Sequence, residues 1–143
     1  MEPASKPIDL TLFAQQFATA LADRTPCLLA TADAEGRPDI GLKGSMMVWD
    51  KDNLAYLERT HRVHLNNLRK NPHVAVMYYN RNAEYPQVRL FGDVELLESG
   101  ALRDEIRSKV IPDELSKDPD NKGVIVLIRV DKVITPRATF VRS

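Results

Sequence analysis

Side chains alternate with a period of two in the most regular stretches of this chain, and turn residues separate them from shorter apolar runs and helical stripes. Gln87–Leu97 is the clearest stretch. Val88, Leu90, Val94 and Leu96 share one face, and Arg89, Phe91, Asp93 and Glu95 the other. Gly92 interrupts it and predicts a bend of the kind a barrel strand needs. His73–Tyr79 sets Val74, Val76 and Tyr78 against Ala75, Met77 and Tyr79. Residues 124–130 are apolar until Arg129, the pattern of a central strand covered on both faces. Cys27–Ala32 is a shorter apolar run, followed by turn chemistry over 33–38 and a returning strand over 39–43. Gly41 and Gly44 predict a bulge, or something lying close against the backbone. Residues 46–49 resume the strand, 50–53 make a hairpin turn, 54–58 pair back, and 138–141 predict a short closing strand.

Helical spacing appears in three places. Asp9 is a capping residue ahead of Phe13, Phe17 and Leu21, a stripe widened by Leu10, Ala14 and Ala20; this predicts a helix to about residue 23, ended by Pro26. A second helix is expected over 61–71, with Val63 and Leu68 inward and Asn71-Pro72 as its stop. Ser99 is the expected cap of a third, running to residue 110 with Leu102, Ile106 and Val110 on one face. Residues 112–123 are polar, with a short helix over 113–117, and residues 1–8, with two prolines, predict a loose arm. Six or seven strands joined mostly as hairpins, with scattered helices, predict a mainly β fold. The expected architecture is a small antiparallel β-barrel with flanking helices, one domain over residues 1–143.

Twenty basic residues balance twenty acidic ones, so no general attraction to nucleic acid or an anionic membrane is expected, and any anion site must be local. No apolar run approaches the roughly 20 residues of a membrane span, and the first residues lack the basic start and apolar stretch of a signal peptide. Cys27 is the single cysteine, which excludes an intramolecular disulfide and fits a reducing, cytoplasmic compartment.

GxGxxG, P-loop, GxSxG and HExxH patterns are all missing. His61, His64 and His73 have no cysteine or carboxylate partner at zinc spacing, so no metal site is expected. Cys27, on an apolar strand, reads as packing. Arg59, Arg62 and His64 bracket the start of the second helix, where free N–H groups favour anions, and Lys43 and Ser45 lie on the preceding hairpin. These residues suit a phosphate cradle; they suit a solvated, mixed-charge surface equally well. Gln87 and Arg89 begin a long strand expected to neighbour this hairpin when the barrel closes; there Gln87 is either a partner for the polar edge of a heterocycle or an edge-strand solvent contact. Met46, Met47, Trp49, Tyr56 and Phe91 either line a flat-ring pocket or belong to the core.

The order of residues 26–76, the "QVRLFGDVELLESG" strand and the "DPDNKGVIVLIRVDKV" segment resemble the pyridoxamine 5′-phosphate oxidase-like family of FMN-binding split barrels, over about residues 20–135. The resemblance implies a six-stranded antiparallel split barrel, and a homodimer with FMN at the subunit interface. It implies FMN contacts at Lys43, Gly44, Ser45, Met46, Arg59, Arg62 and Gln87. It leaves the catalytic residues and the small-molecule substrate unassigned. The activity it implies is an FMN-dependent oxidoreductase; the rivals are a flavin-binding or sensing module without turnover, and a relative using a deazaflavin or haem. There are departures from the family pattern. Glu58 stands where the oxidase has threonine, and Val63-His64 where it has an Arg-Lys pair. Cation supply therefore shifts to Arg59 and Arg62, and Glu58 is expected to hold one of those arginines. The chain closes on Arg137-Ala138-Thr139-Phe140-Val141-Arg142-Ser143, without the oxidase's Arg-x-His, which speaks against pyridoxal phosphate synthesis.

Overall fold

The computed structural model describes residues 5–142. Nine strands are described: β1 (Lys6–Pro7), β2 (Cys27–Ala32), β3 (Pro38–Lys43), β4 (Met47–Val48), β5 (Asn53–Glu58), β6 (His73–Tyr79), β7 (Gln87–Leu97), β8 (Val124–Ile134) and β9 (Thr139–Val141). The six that are six residues or longer form the expected split barrel. β3, β2, β6, β7 and β8 pair antiparallel in that spatial order. β8 also receives β5 along its first half and β9 along its last residues, while β4 folds back on β5.

No backbone ladder joins β3 to β5 among the described residues. Ser45, buried in the turn after β3, spans that opening with its side chain. Its hydroxyl accepts from the Leu57 N–H at 2.9 Å and donates to the Leu57 carbonyl at 3.3 Å. One side chain thus satisfies both backbone groups that a neighbouring strand would have paired.

β7 bends where the sequence predicts. Phe91 pairs with Lys132 and Gly92 with Val130, which leaves Asp131 as the extra residue of a bulge on β8. The bulge presses β8 onto Gly92, where an added Cβ would lie 2.1 Å from the Arg129 carbonyl oxygen.

A 3-10 turn (Leu10–Phe13) leads into α1 (Ala14–Ala18), and together they plug the barrel. Leu10, Phe13 and Phe17 join Leu29, Leu54, Tyr56, Val76, Tyr78 and Ile128 in the main core. Each large side chain taken out of water there stabilises the fold by about 1.5–3 kcal/mol. Three further helices follow: α2 (Val63–Lys70), α3 (Ala101–Ser108) and α4 (Pro112–Leu115). Ile106 and Val110 cover the far face of β5 and β8 with Ala55, Leu57 and Ile125. This second layer explains why β8 is apolar on both sides.

Several boundaries differ from expectation. The loose arm is shorter: Lys6 and Pro7 pair parallel with Phe140 and Val141, anchored by the buried Ile8, while residues 1–4 lie outside the described part. α1 ends at Ala18, because residues 19–25 coil through a left-handed Arg24 (φ 61°) to deliver Pro26 to β2. Gly100 (φ 104°), rather than Ser99, precedes α3, and no side chain caps it. α2 begins only at Val63, so its buried positions are Leu65, Asn67 and Leu68, and Val63 is exposed. Among the described residues no helix is long and apolar enough to cross a membrane.

Candidate functional site at the barrel opening

The register of β2 against β3 sets the site. Cys27 pairs with Lys43 and Leu29 with Gly41. Directly paired residues project to the same side, so Lys43 shares the inward side of buried Cys27 and Leu29. At the opening, Lys43, Gly44 and Ser45 meet Glu58, Arg59 and Glu114 around a cleft of about 190 Å³. Lys43 Nζ lies 2.9 Å from Glu58 Oε1 and 5.6 Å from the centre of the Tyr56 ring. Glu58 is 3% exposed and also accepts from the Tyr56 hydroxyl and from Thr60 Oγ1, both at 3.3 Å. Burial, and then the Glu58 charge, push the Tyr56 phenol well above its ordinary value, so it stays a donor. Arg59 Nε lies 2.8 Å from Glu114 Oε2.

The expected close approaches to Gly41 and Gly44 are both present. A Cβ on Gly44 would come 2.0 Å from Glu114 Oε1, and one on Gly41 would come 2.8 Å from His64 Nε2. His64 Nδ1 is 2.9 Å from Thr31 Oγ1, which also accepts from Asn67 Nδ2 at 3.0 Å. Burial, then the nearby Lys43 charge, hold His64 below its ordinary value of 6.5 against the weaker pull of Asp39 and Glu58. At neutral pH His64 therefore adds no positive charge to the opening. The folded chain binds fewer protons there than the unfolded chain. The contribution of His64 to stability is complete above 6.5 and is lost as pH falls through the lowered folded value. Urea denaturation at a series of pH values is expected to show stability falling below that point and a shallower fall in His64→Gln. The same slope in both proteins would contradict the assignment.

Four of the seven predicted contact residues, Lys43, Gly44, Ser45 and Arg59, converge on the cleft. Met46 is buried in the main core beside it. Arg62 is exposed, directly before α2, and makes no side-chain hydrogen bond or ion pair with a described residue. Gln87 is not a neighbour of this hairpin within one chain. It opens β7, with β6 and β2 between it and β3, because the barrel closes through β8 and β5. Glu58 holds Lys43 rather than an arginine, and Arg59 is held instead by Glu114. No sequence signal marked Glu114, a glutamate in a polar segment far along the chain. Cys27 is buried and its thiol is pushed up to about 12, so it is no nucleophile.

On the opposite side of the same sheet, paired positions line up across four strands. Leu42, Leu28, Met77 and Arg89 form one row, and Ile40, Ala30, Ala75 and Phe91 the next, with Tyr79 and Gln87 beside them. Ile40 and Leu42 are 63% and 64% exposed, Tyr79 is exposed as well, and the outer edge of β3 has no strand partner among the described residues. This apolar sheet face lies beside the open edge of β3.

A six-stranded barrel left open at one seam, with cations at the seam and flanking helices, defines the split-barrel class. Residues 13–135 match the family described as pyridoxamine 5′-phosphate oxidase, and the chain belongs to that family. No curated protein matches it by sequence. Among solved structures, HupZ of Group A Streptococcus is similar with a TM-score of 0.69 and 22% identity, covering 90% of this chain and 97% of that one. A proposed pyridoxamine 5′-phosphate oxidase of Lactobacillus delbrueckii is 27% identical over 81% of this chain and 88% of its own, with a TM-score of 0.62. An FMN-binding protein of Syntrophomonas wolfei shares 14% identity over 89% of this chain and 90% of its own, with a TM-score of 0.65.

Proposed function

We propose that the chain is an FMN-dependent oxidoreductase that works as a homodimer. The observation that carries this reading is the convergence of Lys43, Gly44, Ser45 and Arg59 on one cleft at the barrel opening. Their charge suits the acidic end of FMN: two cations flank a tight turn at the opening. The fit to a phosphate holds in position, while both cations already face carboxylates. Arg62, exposed and without an acidic partner among the described residues, is the cation available to strengthen it. Bound FMN supplies the hydride or electron transfer; the chain's own residues hold and orient it.

The apolar face carrying Ile40, Leu42 and Tyr79 supports dimerisation. Gln87 lies on that face, so its place at a flavin is in the site of a second copy.

The test combines spectroscopy with mass measurement. The purified protein is expected to show flavin absorption, to release FMN on denaturation, to be reduced anaerobically by a nicotinamide, and to run as a dimer in light scattering. Leu42→Glu is expected to be monomeric and to lose FMN. A colourless protein that takes up no added FMN would overturn the reading; FMN bound without any reduction would leave a binding module.

A further inference from the structure

Glu114 occupies the position at which an acidic ligand group would meet the cleft. We propose that Glu114 is a built-in competitor for that group: the ligand's phosphate must displace it from Arg59, so Glu114 weakens the hold on phosphorylated ligands and leaves unphosphorylated ones untouched. This rests on reading the cleft as the anion-binding end of a flavin site.

Both carboxylates at the cleft are buried against a cation: Glu114 is 7% exposed and lies 2.8 Å from Arg59 Nε, and Glu58 is 3% exposed and lies 2.9 Å from Lys43 Nζ. Two observations single out Glu114. Its other oxygen rests directly on Gly44, in the turn that would cradle the ligand. Finally, the two carboxylates are anchored very differently. Glu58 accepts from Lys43, Tyr56 and Thr60 together. Glu114 has Arg59 as its only polar side-chain partner among the described residues. An incoming anion therefore exchanges with Glu114 and leaves Glu58 in place.

The surrounding chain permits the exchange. Glu114 sits on the four-residue α4, whose Leu115 packs against the cluster holding Ile106 and Val110, so the exchange is a swing of the Glu114 side chain alone. Arg59 is one-third exposed, so the cleft mouth is open to water and a displaced carboxylate is rehydrated there. A phosphate dianion repays the displacement by gripping the guanidinium with two oxygens at once. A neutral ribityl end has no charge with which to displace Glu114.

Wild type and Glu114→Gln are titrated with FMN, riboflavin and inorganic phosphate, followed by flavin fluorescence and calorimetry. Removing the competing charge is expected to raise affinity for FMN and for phosphate about tenfold, with riboflavin unchanged. Glu114→Asp, which draws the carboxylate back from Arg59, is expected to fall between the two and serves if Glu114→Gln folds poorly. Unchanged or weaker FMN and phosphate binding in a variant that melts like wild type would overturn the proposal, as would an equal gain for riboflavin or no phosphate binding by any of the proteins. If no protein binds FMN while the phosphate gain persists, the flavin reading falls and the competitor role stands.

Discussion

Truncating Glu58 to alanine is expected to cost about 3–5 kcal/mol of folding stability, the range for stranding one partner of a buried ion pair. The size follows from the surroundings. Lys43 is 13% exposed, so its ammonium cannot recover full hydration when the carboxylate is removed. The Tyr56 hydroxyl and Thr60 lose their acceptor in the same step. Replacing both partners, as in Lys43→Met with Glu58→Leu, is expected to return most of the loss, because two apolar groups need no partner. Urea denaturation of the two single variants and the double variant measures this directly. A loss within about 1 kcal/mol for Glu58→Ala would place Lys43 in the class of solvated surface pairs and refute the buried geometry.

Gly92→Ala is expected to lower stability by about 3 kcal/mol, the upper end of ordinary overpacking. The obstruction is main chain: the new methyl would meet the Arg129 carbonyl oxygen at 2.1 Å and the Val130 Cα at 3.1 Å. A side chain would rotate away, but these atoms belong to a paired strand and can move only if the bulge at Asp131 shifts with them. The readout is the thermal midpoint by circular dichroism, in parallel with Gly92→Val, whose larger side chain should add to the loss. A wild-type midpoint for Gly92→Ala would mean that the bulge slides freely.

The strands were legible where one face meets the core and the other does not. Cys27–Ala32, His73–Tyr79 and Gln87–Leu97 appear at the expected residues, because alternation reports burial directly. Helix phase was harder to read. Val63 looked inward only while the helix was taken to start two residues earlier; from its true start, Asn67 turns inward to donate to Thr31. The close contacts at Gly41 and Gly44 were readable as contacts, but not the groups that make them. His64 and Glu114 arrive from distant segments, and charge pairing between remote residues leaves no trace in local periodicity. The same reason hid the pairing at the opening, where Glu58, expected on an arginine, took Lys43, and Arg59 turned to Glu114. Gln87 was misplaced because sequence shows which strands exist, not which two close the barrel.

Strand β8 receives β5, β7 and β9, although 65 residues separate the end of β5 from the start of β8. On the ribosome, which delivers the chain from its N-terminus, Asn53–Glu58 and Gln87–Leu97 emerge with bare edges and wait for a common seam. A nascent chain halted before residue 124 would hold one four-stranded sheet (β3, β2, β6, β7), a separate hairpin (β4, β5) and no closed core, which is the state most open to edge-to-edge association. Productive folding is therefore a late event in synthesis, and premature stops ahead of β8 should yield aggregates instead of a smaller stable domain.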